Sequence, residues 1–145
     1  MIIQGQSEKT VATAPSKVVL LSVKAFNAGD LEAALACFAD DADYKLIGVP
    51  PGQPEAVKGQ EQLRAWLEEL AAQHSRVEVK VLKTEGDVVR TETRTWSDST
   101  RQLGVAPLVA TEQYLVQDRK IQSAIRSIHP ESAAKLQAAL VHIEE

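Results

Sequence analysis

Cysteine occurs once in this sequence, at Cys37, and methionine once; Phe, Trp and Tyr occur twice each. One thiol excludes an internal disulfide and a cysteine-based metal site. No run approaches the roughly 18 apolar residues of a membrane span. There is no basic excess either: 16 Lys and Arg face 20 Asp and Glu, for a net charge of -4, with the two signs interspersed. A nucleic-acid partner wants a basic stripe, so none is expected. The N-terminal MIIQGQSEKTVATAP lacks the basic start and apolar run of a signal peptide. It reads as a loose arm over 1–15, with one domain over 16–145 and a cytoplasmic location as the expectation. The three histidines and the acids show no metal-ligand spacing, so neither metal nor cofactor is expected.

What is present is an ordinary globular composition, 44% hydrophobic and 25% charged, of a length suited to one core. Ser16 can cap a helix from Lys17 with Val19, Val23 and Phe26 at helical spacing. Gly29 ends it and Asp30 caps a second helix, with Leu31, Ala34, Leu35 and Phe38 in one stripe. Cys37 falls on the apolar side of that helix and reads as a buried structural thiol. A short strand follows at 43–47, then a loop, VPPGQPEAVKG, broken by prolines and glycines. Leu63, Trp66, Leu67 and Leu70 form the buried face of a third helix.

From residue 76 the period changes to two. RVEVKVLKT and VVRTETRTWSD flank the turn EGD; STRQLG reads as a loop; VAPLVATEQYLVQ and KIQSAIRSI flank QDRK. Pro130 suits the first position of a last helix, whose stripe is Ala133, Leu136, Leu140 and Ile143. Helices followed by an antiparallel meander indicate an α+β domain.

Three pieces, FNAGDLEAALACFADDADY, KGQEQLRAWLEEL and QDRKIQSAIRSIHP, resemble the nuclear transport factor 2-like superfamily. The resemblance is to its SnoaL-like branch of polyketide cyclases, ketosteroid isomerases and limonene epoxide hydrolases. It implies a cone: a strongly curved sheet wrapped around helices and enclosing a pocket, in a protein that dimerises through the outer sheet face. Here that face would present Trp96, Val109, Leu115 and Ile125.

The family register turns Arg126 on the last strand inward, and with it Leu108, Ala110, Glu112 and Tyr114 on the neighbouring strand, and Ile128. Glu112 and Arg126 would then face each other, as a buried arginine requires. They read either as an ion pair bracing the sheet or as polar groups orienting an anionic or carbonyl ligand. Tyr44 would point inward as packing or as a hydrogen-bond donor, and Trp66 would form pocket wall. On the strand over 88–98 the family register places Thr93 and Thr95 inside; the opposite register would place Glu92 and Arg94 there. His129 is a cap or a general acid–base group, and His74 and His142 read as solvated.

The epoxide hydrolase arginine, two aspartates and asparagine are matched by Thr93, Thr95, Arg126 and Leu46, so that mechanism is not expected. For ketosteroid-type proton shuttling Glu112 is the candidate carboxylate, and Asp40, Asp41 and Asp43 lie nearer the mouth. The resemblance leaves three functions open. One is an acid–base enzyme on an apolar carbonyl compound, with Tyr44, Glu112, Arg126 and His129 as its catalytic candidates. The second is a non-catalytic protein binding a small apolar molecule with a polar end. The third is a protein–protein association module.

Overall fold

A computed structural model describes residues 3–49 and 54–144, with side chains over 15–49 and 54–141. Helix α1 spans Ile3–Asn27, α2 Leu31–Ala36, α3 Gly59–Ala72, α4 Asp98–Gln102 and α5 Pro130–Glu144. The strands are β1 Phe38–Ile47, β2 Ala56–Lys58, β3 Arg76–Glu85, β4 Val88–Trp96, β5 Leu108–Gln117 and β6 Lys120–Ile128. They form one mixed sheet in the order β2-β1-β6-β5-β4-β3. Only the β1–β6 pair is parallel. The fold is α+β, as the sequence predicts.

Four local readings are corrected. The α1 backbone is helical from Ile3, so Ser16 lies within the helix, not at its cap. The second helix stops at Ala36, and Phe38 starts β1 instead of closing the helical stripe. Asp40, Asp41 and Asp43 therefore belong to a strand, and Cys37 becomes a half-buried cap residue. Ala56–Lys58, inside the expected loop, pairs with β1 through Tyr44↔Val57. STRQLG contributes to α4, where Ser97 and Thr100 cap each other reciprocally.

Other signals hold. Gly29 has a φ of 81° just past α1, where a side chain would be strained. Asp30 accepts from the Ala33 N–H at 3.0 Å and starts α2. The two-residue turn Gly86–Asp87 joins β3 to β4.

Bulges at Leu82 in β3 and between Ser123 and Ile121 in β6 bend the sheet. Each inserts one residue and shifts the phase of alternation. The β3 bulge leaves Leu82 and Lys83 both exposed, while the β6 bulge turns Ile121 inward, where it is fully buried. Helices α1 and α3 pack on the inner sheet face around Val19, Leu63, Leu67 and Val89. Asn27, at the end of α1, donates to the Val77 carbonyl at 2.7 Å and accepts from its N–H at 2.9 Å. One side chain thus satisfies both backbone groups of an edge-strand residue and anchors the helix there. A second cluster, Val105, Leu108, Ile128 and Leu136, seats α5 at the other end of the sheet.

Candidate functional site

Alternation along β4 settles its register. Val89, Thr91 and Thr93 are buried, while Arg90 and Arg94 are exposed and Arg94 pairs with Glu92 at 3.1 Å. The charges are outside, as in the family register. On β5 and β6 the pairs are Glu112↔Arg126, Tyr114↔Ala124 and Ala110↔Ile128, and Thr91 on β4 lies opposite Glu112. One row across three strands therefore reads Thr91, Glu112, Arg126.

Between this sheet face and the helices lies a cavity of about 90 Å³. Its walls include Tyr44, Thr93, Thr95, Glu112, Tyr114 and Arg126, with Trp66, Leu67 and Leu70 from α3 and Val23 and Phe26 from α1. Trp66 stacks at a tilt on Tyr44, with centroids 5.0 Å apart. The volume is below the roughly 300–1,000 Å³ that takes a drug-sized ligand, so the space suits a small one.

The Glu112 carboxylate organises the polar wall. Tyr44 donates to one oxygen and Tyr114 to the other. Thr91 adds a hydroxyl at 3.3 Å from the oxygen that Tyr114 uses. Arg126 Nε lies 3.7 Å from the oxygen that Tyr44 uses. That separation is an ion pair but too long for a hydrogen bond. Among the described residues Arg126 has no other ion-pair or hydrogen-bond partner. Its N–H donors thus lack a protein acceptor, although the side chain is only 15% exposed. Burial, reinforced by the neighbouring Glu112 charge, raises both tyrosine hydroxyls well above their ordinary pKa. Both remain protonated donors at neutral pH.

Several expected site residues lie elsewhere. Leu46 and Ala110 are buried but do not line the cavity; Leu46 belongs to the main core. Leu108 and Ile128 face inward, but beneath α5, in the second cluster. His129 is exposed and outside the cavity, because the residue after inward-facing Ile128 must turn out. Its backbone carbonyl accepts from Ala133 at 2.8 Å, so the main chain alone serves the start of α5. His74 is exposed and sits 2.7 Å from Asp98; the His142 side chain lies outside the described residues.

Sequence reasoning missed Ser22 and Ser75 in the cavity wall. Ser22 carries no sequence signal, being turned inward by the helix phase and bonded to the Val19 carbonyl at 2.7 Å. Ser75 sits in what reads as a polar turn. Among the described residues no group of three metal-ligating side chains comes together, and no helix is long and apolar enough to cross a membrane.

A mixed sheet with helices on one face, and a charged pair in the wall of a largely apolar cavity, defines the class of small α+β pocket folds. The chain belongs to the SnoaL-like domain family, whose model matches residues 19–123. No curated protein matches. Among solved structures it is similar to Bal32a from a soil-derived mobile gene cassette, with a TM-score of 0.71 at 15% identity, covering 86% of this chain and 96% of that one. It is also similar to an epoxide hydrolase of LEH-like type from M. tuberculosis, with a TM-score of 0.64 at 18% identity, covering 90% and 95%. A candidate polyketide cyclase from Xanthomonas campestris gives 0.64 at 20% identity, covering 86% and 97%. At such identities the likeness shows the fold.

Proposed function

We propose that the cavity receives a small, largely apolar molecule through a carboxylate or carbonyl oxygen, and that Arg126 takes that oxygen. One observation carries this reading: a cavity-wall guanidinium, balanced in charge by Glu112, whose N–H donors have no acceptor among the described residues. Glu112 supplies the counter-charge that a buried cation needs. Its oxygens are engaged by Tyr44, Tyr114 and Thr91, so it does not close off the fork. The guanidinium geometry matches a planar oxygen pair. A calorimetric titration with short-chain carboxylates and ketones tests the reading. Binding should be lost, by a hundredfold or so, in Arg126→Met. Equal affinity in that variant would reject Arg126 as the receptor.

A second reading, an acid–base enzyme acting on the same carbonyl compounds, draws on the hydroxyl–carboxylate row Tyr44, Glu112, Tyr114. A ligand enolate would gain from Arg126, and Glu112 would be the base. Both oxygens of that carboxylate are already engaged by hydroxyl donors, which places binding ahead of catalysis. Exchange of α-protons of a bound ketone in heavy water, absent in Glu112→Gln, would establish the enzyme reading; no exchange with wild type would dismiss it.

The outer sheet face, with Trp96, Val109, Leu115 and Ile125, is the proposed surface for a second copy of the chain. Ile125 is 40% exposed there and the other three are partly buried.

A further inference from the structure

The cavity wall holds two hydroxyls that nothing among the described residues satisfies. Thr93 Oγ1 and Ser75 Oγ are both shut off from solvent without a hydrogen-bond partner, and both residues line the cavity. Thr93 is 2% exposed. Strand register explains its isolation. Its cross-strand neighbours are Val79 on β3 and Ala110 on β5, neither of which offers a polar side-chain atom. Thr91, two residues earlier on the same face, differs because it lies opposite Glu112 and donates to it. An unsatisfied buried hydroxyl is rare and destabilising, so each one calls for a partner from outside the chain.

Position relative to Arg126 then defines the ligand. Arg126 on β6 pairs with Glu112 on β5, and Thr93 on β4 lies two strands across from Arg126 and two residues along. Strand spacing and rise place their backbone positions roughly 12 Å apart, a span that the long arginine side chain shortens. Ser75, just before β3, lies farther out on the Thr93 side of the sheet. The helices bring apolar side chains to the cavity wall: Phe26, Trp66 and Leu67.

We propose that the ligand is a short bifunctional organic acid: a carboxylate on Arg126, an apolar body, and a second keto or hydroxyl oxygen on Thr93. This rests on Arg126 as the receptor, and adds a chemical class that Arg126 alone does not specify. The Thr93 hydroxyl can donate to a ketone or exchange hydrogen bonds with an alcohol.

The test uses pentanoate and 4-oxopentanoate as probes, titrated calorimetrically into the full chain. The oxo acid should bind about tenfold more tightly, the worth of one hydrogen bond to a buried donor. In Thr93→Val the difference should fall below twofold while the affinity for pentanoate holds. In Thr93→Ser, which keeps the hydroxyl, the preference should persist. Equal affinity for both acids, or a preference unchanged in Thr93→Val, overturns the bifunctional ligand and leaves Arg126 as receptor. Failure of wild type to bind either acid removes both readings together.

Discussion

Tyr44 and Tyr114 stand edge to face, rings at 88° and hydroxyl oxygens 3.3 Å apart, and each donates to a different oxygen of Glu112. They come from β1 and β5, strands that are not neighbours, since β6 lies between them. The carboxylate therefore ties β1 to β5 across β6 from the inner face of the sheet. With Arg126 on the intervening strand, it forms a buried polar knot that closes one side of the cavity.

Glu112→Gln should destabilise the fold by about 3 kcal/mol, because it leaves the Arg126 charge without its partner and converts one acceptor oxygen into a donor nitrogen facing a tyrosine hydroxyl. The double variant Glu112→Gln with Arg126→Met should recover part of that loss. Urea unfolding of the four proteins measures the coupling. A double variant as unstable as the sum of the singles would show that the two side chains do not interact.

The pH dependence follows from the tyrosines. Their hydroxyls titrate higher in the folded protein than in the unfolded chain, chiefly through burial. The folded state thus holds its protons when the unfolded state releases them, and stability falls as pH rises from about 10. Below that pH the contribution is fully present. Both tyrosines of the sequence lie in the site, so tyrosinate absorbance reads them without background. Native protein should ionise only at higher pH than protein in denaturant, which should titrate near the ordinary value of about 10. Coincident curves would refute the burial argument.

Thr93→Val should raise stability by about 1 kcal/mol, since it removes an unpartnered buried hydroxyl at nearly constant volume. Thermal unfolding of the ligand-free protein checks this. A drop in melting temperature would mean that Thr93 has a bonding role in the empty fold.

Trp96→Glu should convert the proposed dimer into a monomer. Val109 and Trp96 are half-buried and Ile125 is exposed on one outer face, next to Arg90 and Arg94. A new charge at its edge would lack a partner in the assembled state. Mass from light scattering decides; an unaltered assembly excludes that face.

Much of the fold was legible because it depends on local rules. Asp30, Gly29 and Pro130 mark helix ends by capping chemistry, and alternation from residue 76 identifies the meander. Where reading failed, a non-local partner had overridden local preference. Phe38 to Ala42 continue a helical pattern but are drawn into β1, beside β6, and Ala56–Lys58 become a strand only because β1 offers an open edge. Candidate site residues followed the same division. The family register pairs Glu112 with Arg126 but cannot say that Leu108 and Ile128 sit beneath α5, or that His129 turns out of the cavity.

The sequence by itself determined the class of fold and the two-residue alternation of the strands, because these follow from backbone periodicity; the family resemblance supplied the inward faces and the meeting of Glu112 with Arg126. Only the tertiary structure decided which inward residues share an open space and which hydroxyls are left without partners. Those outcomes depend on how helices settle over a bulged sheet, and no short-range pattern of residues encodes that packing.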